Sequence, residues 1–404
     1  TRTIGEEDKG KTAWAVGDEI CVKLESKELG IQTATLKYNG VKFELQDGNS
    51  LCYLEGEPVT AYAYYAPNRR WRNGSLDFKD IYGNPNGTAE FLEATCTVHY
   101  GDNNYVDISF ANATRNYSRL RIATIPKTEI KVDADNFAPT DNPNLLYMTY
   151  TLTSDEKGNA YLYGTFYNNS IVTVKYRGAT LKTYKFSKET ENAKSYVLDA
   201  TVISANSAKE IYSAIKQEVA NSKTAIRLNL ASDAGDNEFN AIREAFENVR
   251  GYGTIDLTLI GCKEIPVNGL YRIMALKSIT LPDVTKIRMD ALSSCLYLQE
   301  ICAPNVSAID EYAFGKCRYL RKVTLGKLTD VRGEANSRSG IFDDINDLYP
   351  DIDLYLPKNQ EVMEFDENSK QYIWKPTGEN YFAIPDSDNG IFLGYQFNSV
   401  KSWE

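Results

Sequence analysis

The residues with the chemistry to act on a substrate are few and scattered. His99 is the only histidine, inside C-T-V-H-Y (Cys96–Tyr100). A hydrolase triad sets such a base beside a nucleophile. The alternation around His99 instead reads as a strand, where a surface or structural histidine is the plainer interpretation. Ser213 and Lys216 stand as S-x-x-K on a helix-patterned segment, with no K-T-G partner in the chain. That spacing serves serine acyl-enzymes only with such partners. Gly5–Thr12, G-E-E-D-K-G-K-T, matches the letters of G-x-x-x-x-G-K-[ST]. It lies in the polar, acid-rich start of the chain, with no strand pattern before it and no helix pattern after it, so it is not read as a phosphate cradle, and no G-x-G-x-x-G fingerprint occurs. Asp343, Asp344, Asp347, Asp351 and Asp353 crowd one segment, and Asp233, Asp236 and Glu238 another. Oxygen-rich loops hold calcium, but neither segment has the D-x-D-x-D-G spacing of a dedicated loop, and solvated loops are preferred. Seven cysteines cannot all pair. Without a C-x-x-C, and with one histidine, they do not form an ordinary zinc set. Tyr62, Tyr64, Tyr65 and Trp71 are candidates for stacking on sugar rings. In a strand Tyr62 and Tyr64 share one face and Tyr65 takes the other, so one face is core.

What positions side chains most clearly is a repeat. Leu276, Leu298 and Leu320 are 22 residues apart, as are Ile279, Ile301 and Val323, then Val284, Val306 and Leu328, then Ile287, Ile309 and Val331. A fixed period of this length marks stacked coils. Each coil has a short strand, a turn at Pro282, Pro304 or Gly326, a second apolar pair, and a return at Ala291-Leu292 or Ala313-Phe314. A lone coil cannot bury its apolar edge; stacking joins these edges into one core. Cys262, Cys295 and Cys317 fall on the buried columns, as small apolar residues. Two columns face away from the core. One holds Asp256, Ser278, Glu300 and Lys322; the other holds Thr258, Thr280, Cys302 and Thr324. Ser278, Thr280, Glu300, Cys302, Lys322 and Thr324 are therefore the expected ligand-binding face, set against the simpler reading of a solvated sheet with nothing bound.

The coil pattern resembles the BspA-type leucine-rich repeat family, closely over 254–331 and loosely over 225–357. Leu292 departs from the usual Phe, and the polar segment 332–351 interrupts the period. The resemblance implies a curved solenoid that bacterial surface proteins use for binding, and names no ligand. Ile352–Pro357 reads as the final strand.

The front of the chain is different. Short alternating runs, Glu19–Leu24, Thr33–Tyr38, Val41–Leu45, Pro58–Tyr65, Cys96–Tyr100, Tyr105–Phe110 and Arg119–Ala123, are separated by turn residues, with Asn39-Gly40 as a hairpin signal. Such spacing points to a β-sandwich. A second strand-rich set runs from Ile130 to Phe186, with turns read at Asn168-Asn169 and Arg177-Gly178. T-R-T at the start, W-A-V-G-D-E-I-C-V (Trp14–Val22), A-Y-Y-A-P (Ala63–Pro67), V-D-I-S-F and S-R-L-R-I (Ser118–Ile122) resemble fimbrillin-like surface proteins of the Bacteroides type. That likeness implies two tandem sandwiches, export to the cell surface, and a lipid anchor on a Cys upstream of Thr1. Helices are expected at Ser207–Asn221, capped by Ser207 and Glu210, and at Phe239–Val249, capped by Asp236 and Asn237 and stopped by Gly251. The first covers the open end of the coils, and the aromatic tail covers the other.

A chain of 404 residues exceeds one core. With a net charge of −10 and no basic stripe along the chain, nucleic acid is not an expected partner. No apolar run reaches the length of a membrane-spanning helix. The expected architecture is multidomain: all-β sandwiches at 1–125 and 126–205, an α/β leucine-rich repeat solenoid with parallel strands at 206–357, and a cap at 358–404. The expected function is non-enzymatic binding of a host or bacterial surface protein or a glycan, as an outer-membrane-anchored, adhesin-like lipoprotein without cofactor. The alternative is a structural or tip subunit of a fimbria-like polymer.

Overall fold

The computed structural model describes residues 13–46, 50–67, 69–78, 87–101, 104–140, 147–335, 340–342, 351–374 and 390–403. The chain divides into two compact units, Thr1–Val174 with Lys182–Ala200, and Lys175–Leu181 with Thr201–Glu404. The boundaries expected near 125 and 357 fall inside these units.

The first unit is built from two six-stranded sheets and a small hairpin, Arg69–Arg72 with Ser75–Phe78. One sheet runs in the order Phe43–Leu45, Gly30–Tyr38, Glu19–Ser26, Val59–Tyr65, Leu92–His99, Tyr105–Thr114. Asn39-Gly40 does make a hairpin, pairing Tyr38 with Phe43. On one face Trp14 packs edge-on against Phe43, Tyr65 and Phe110, with ring centroids 5.0–5.5 Å away. Phe43 and Phe110 lie on the two outermost strands, so this sheet curls around Trp14.

The other sheet runs Tyr147–Thr153, Glu129–Pro139, Asn159–Tyr176, Ser118–Ala123, Ser195–Asp199, with Ala179–Lys185 also paired to Asn159–Tyr176. Two expectations change here. Arg119–Ala123, read as closing the first set of strands, instead pairs with Asn159–Gly164 and Ser195–Asp199. Asn168-Asn169 is not a turn between strands. Asn169 takes φ of 67° within one 18-residue strand, since asparagine enters the left-handed region more readily than other side chains.

The second unit carries the repeats. Its main sheet orders Ile203–Ser204, Ala225–Asn229, Ile255–Ile260, Leu276–Thr280, Glu300–Ala303, Lys322–Leu325, Asp353–Leu356 and Ser399–Ser402. Every neighbouring pair is parallel. Ile279 faces Ile301, then Val323, Leu354 and Val400, so the period read from the sequence is the register of the sheet. A second ladder joins Glu264–Ile265, Lys286–Ile287, Ala308–Ile309 and Asp330–Arg332 in parallel, then turns antiparallel at Gln371–Trp374. Leu276, Leu298, Leu320, Val284, Val306, Ile287 and Ile309 are all fully buried between the ladders. Each contributes roughly 1.5–3 kcal/mol by leaving water. The strand at Asp353–Leu356 is not the last, because Ser399–Ser402 pairs beyond it.

Two bends recur in each coil. Asn268, Asp290 and Tyr312 have φ of 56°, 56° and 55°; Arg272, Ser294 and Lys316 have 60°, 61° and 61°. This left-handed backbone costs non-glycine residues roughly 1–2 kcal/mol each. Bonds to the next coil hold it: Arg272 N–H donates to Ser293 O (3.0 Å) and Ser294 N–H to Gly315 O (2.7 Å). The buried thiols of Cys295 and Cys317 donate to Leu270 O and Leu292 O, at 3.1 and 3.2 Å.

Helix α1, Ala208–Ala220, starts at Ser207. The Ser207 hydroxyl accepts from Glu210 N–H, and the Glu210 carboxylate accepts from Ser207 N–H. Its buried stripe is Ile211 and Ile215. Helix α2, Asp236–Phe246, starts three residues before the expected Phe239 and ends three before the expected Val249. Gly235 is its N-cap, and Glu238 reaches back to accept the Gly235 N–H at 3.1 Å. Asp236 is inside the first turn, where its negative charge is stabilised by the positive end of the helix dipole.

Candidate binding surfaces of the repeat unit

The two outward columns expected from the period are real and longer than expected. Asp256, Ser278, Glu300, Lys322, Asp353 and Ser399 are register partners in succession. So are Thr258, Thr280, Cys302, Thr324, Tyr355 and Lys401. The first column largely satisfies itself. Ser278 Oγ donates to Asp256 Oδ1 at 2.7 Å. Lys322 Nζ lies 2.7 Å from Glu300 Oε1 and 5.7 Å from the Tyr355 ring centroid. Ser399 Oγ and Asn398 Nδ2 donate to Asp353 Oδ1, at 2.5 and 2.7 Å, and hold its carboxyl below the usual range.

In the second column the expectation needs correcting. Thr324 is buried, flanked by Cys302 and the larger Tyr355, and Thr258 is buried as well. Thr280 and Cys302 remain half-buried. Burial pushes the Cys302 thiol up to about 11, so it stays protonated at neutral pH and is a poor nucleophile. Burial moves Cys295 up to about 12 and Cys317 well up. Alkylation of the native protein at neutral pH is therefore expected to mark exposed Cys52 first, Cys302 only as the pH is raised, and Cys262, Cys295 and Cys317 only after unfolding. Mass mapping of a timed labelling series checks this order.

The other sequence candidates do not assemble. His99 Nε2 is 3.0 Å from Asp107 Oδ2, and the ring stacks on Tyr105 at 4.4 Å. Ser213 is exposed on α1, and Lys216 lies over Tyr212. An S-D-N triplet, Ser387–Asn389, is present in the chain but lies outside the described residues. Among the described residues no three His, Cys, Asp or Glu side chains gather as a metal site. Glu238 caps α2 instead, and Asp351 sits 3.8 Å from Arg321. Asp343, Asp344 and Asp347 lie outside the described residues. Tyr65 packs on Trp14. Tyr64 stacks on Phe91 at 5.5 Å, the Trp71 indole donates to Ala34 O, and Lys23 covers the Tyr62 ring at 4.4 Å. These aromatic faces are used in packing.

Two features escaped the sequence reading. On the second ladder, Arg288 bridges Glu264 (2.7 Å) and Asp310 (3.5 Å), and Arg332 reaches Asp310 and Asp330 (both 3.7 Å). This alternation ties four coils together by charge. At the N-terminal edge of the main strands, Tyr297 and Tyr319 stack at 5.3 Å with planes 9° apart. The same column holds Ala275 one coil earlier. Tyr252 crosses that gap and stacks on Tyr297 at 4.9 Å and 6°. Its loop is tied to the intervening coil by Gly253 N–H to Met274 O (3.0 Å) and Thr254 N–H to Ala275 O (2.9 Å). Gly253 has φ of 59°, and a Cβ there would meet Tyr297 Cβ at 3.0 Å. The 22-residue period does show the Tyr297–Tyr319 pair. No periodic signal marks Tyr252.

Residues 240–341 match the family model of the BspA type leucine rich repeat region, in six copies. No curated protein and no solved structure matches the chain.

Proposed function

We propose that the repeat unit is a curved solenoid that binds a macromolecule on its outer surface, without catalysis. In this reading the sheets of the first unit are fimbrillin-like β-sandwiches, which hold the solenoid away from an outer membrane through a lipid anchor. The molecule is adhesin-like, and its partner is a host or bacterial surface protein or glycan. The observation that carries the reading is the register of the coils. It lines up the same side-chain positions coil after coil, with Ser278, Glu300 and Lys322 at the surface. An extended row of repeated positions suits a long partner better than a small substrate. The test is an array of glycans and extracellular-matrix proteins probed with the full chain and with a Glu300→Lys, Lys322→Glu double variant. Reproducible partners that the double variant loses support the strand face; no partner on either array sinks the reading.

A second reading is favoured by one observation. A groove of about 740 Å³ opens in the first unit, with Ile20, Leu36, Phe43, Val106, Ile108 and Phe110 among its lining. An added strand could fill such a groove, as in a fimbria-like polymer. Sedimentation of the chain before and after N-terminal trimming distinguishes them: persistence as a monomer argues against polymer assembly.

A further inference from the structure

The tyrosine row lies within a cationic strip on an acidic protein. From three positions before the column Ala275, Tyr297, Tyr319 to two after it, the charged residues are Arg272, Lys277, Lys316, Arg318 and Arg321; Glu300 and Lys322 stand at the next position, and Asp351 lies 3.8 Å from Arg321. The coils carry these positions into line: Gln299 N–H donates to Lys277 O (2.7 Å), Arg321 N–H to Gln299 O (2.9 Å), and Tyr319 N–H to Leu296 O (3.2 Å). The whole chain carries −10, and the strand face is mixed, with Asp256, Glu300 and Asp353 beside Lys322 and Lys401. Positive charge is thus concentrated on one edge, although no basic stripe is visible along the linear sequence. Tyr252 is 66% and Tyr319 51% exposed. A groove of about 910 Å³ adjoins the row, lined by Tyr252, Tyr271, Arg243, Arg272 and Glu247 among others.

We propose that this edge binds an acidic polysaccharide, whose carboxylate or sulfate groups meet Arg272, Arg318 and Lys277 while its sugars lie along Tyr252, Tyr297 and Tyr319. The inference rests on the reading of the repeats as a binding module, but uses a different surface. Charge complementarity sets the sign of the ligand. The stacking sets its class. The rings already cover one another, so nucleobases have no free face to enter between them, in contrast to single-strand binders whose aromatics stack on bases. What remains is a ribbon of ring edges and phenolic hydroxyls with a free face at each end. Those groups suit the hydroxyl-rich edge of a sugar chain, and each phenol both donates and accepts.

The test uses the full chain in solution with four probes: heparin, polygalacturonate, neutral dextran and oligothymidylate. The expected result is binding to the two acidic polysaccharides, weakening as salt rises, with little for dextran or oligothymidylate. Tyr319→Ser and Arg318→Ser are each expected to weaken it by roughly tenfold, the effect of losing one substantial interface contact. Tyr319→Phe, which keeps the ring and its stacking, serves as the folding control together with the melting temperature of each variant. Lys188→Gln with Glu191→Gln, an exposed ion pair of the first unit, is expected to leave binding unchanged. The proposal is overturned by dextran binding as well as heparin, by equal or tighter binding of oligothymidylate, by no binding to either acidic polysaccharide, or by folded Tyr319→Ser and Arg318→Ser variants that bind as tightly as the parent. If the Glu300→Lys, Lys322→Glu variant loses the acidic polysaccharides while the Tyr319 and Arg318 variants keep them, the tyrosine-row inference fails and the binding-module reading stands.

Discussion

Gly261→Ala is expected to destabilise the repeat unit by about 2–5 kcal/mol, the sum of a left-handed backbone and an overpacked contact. Gly261 follows the strand Ile255–Ile260 with φ of 88°. A Cβ built there would stand 2.1 Å from Leu230 O and 2.8 Å from Asn229 Oδ1. The first of these is backbone, so no rotamer change relieves it. Leu230 N–H also donates to Ile260 O at 2.8 Å, and Gly261 N–H donates to the buried Asp283 carboxylate at 3.0 Å. Any shift that makes room pulls on both bonds. Urea unfolding followed by circular dichroism measures the loss; a midpoint within error of the parent would show that the neighbouring strand yields freely.

The second large effect is expected at Gln360. Its side chain is completely buried. Its amide oxygen accepts from Leu328 N–H at 2.7 Å, and its nitrogen donates to Leu328 O at 3.2 Å and Glu361 O at 3.0 Å. Leu328 belongs to the column Val284, Val306, Leu328, where the period ends. One amide therefore serves both backbone groups of Leu328. Gln360→Leu keeps much of the volume and removes both partners. Leaving two buried backbone groups unpaired costs about 1–3 kcal/mol each, so about 2–6 kcal/mol in all. Equilibrium denaturation of the single variant is the measurement, and a loss under about 1 kcal/mol would mean that water replaces the amide.

Both positions show where the sequence is readable and where it is not. A 22-residue repeat exposes each position to the same surroundings in every coil, so Ile279, Ile301 and Val323 could be lined up before any coordinates were known. The helix cap at Ser207 was equally legible, because a capping box is a local matter of four residues. Gln360 was not, since its partner is 32 residues away and outside the period. Tyr252 was not, because it stacks across a coil that lacks the aromatic. The sheet of Arg119–Ala123 was not, because alternation marks a strand without naming its neighbour. Thr324 was aligned correctly but is buried, since a period gives orientation and not the size of the adjoining side chain.

The parallel register has a mechanical side. Each interior strand of the main sheet is bonded to its two neighbours, and register partners in the three central coils lie 22 residues apart in sequence. Tension applied along the stack loads those rungs in series, so the weakest gives way first and the rest hold. Every coil pulled out adds about 70–80 Å of slack, at 3.3–3.6 Å per extended residue. A stretched molecule would lengthen in steps of that size and stay connected, yielding to a pull by lengthening before it breaks away.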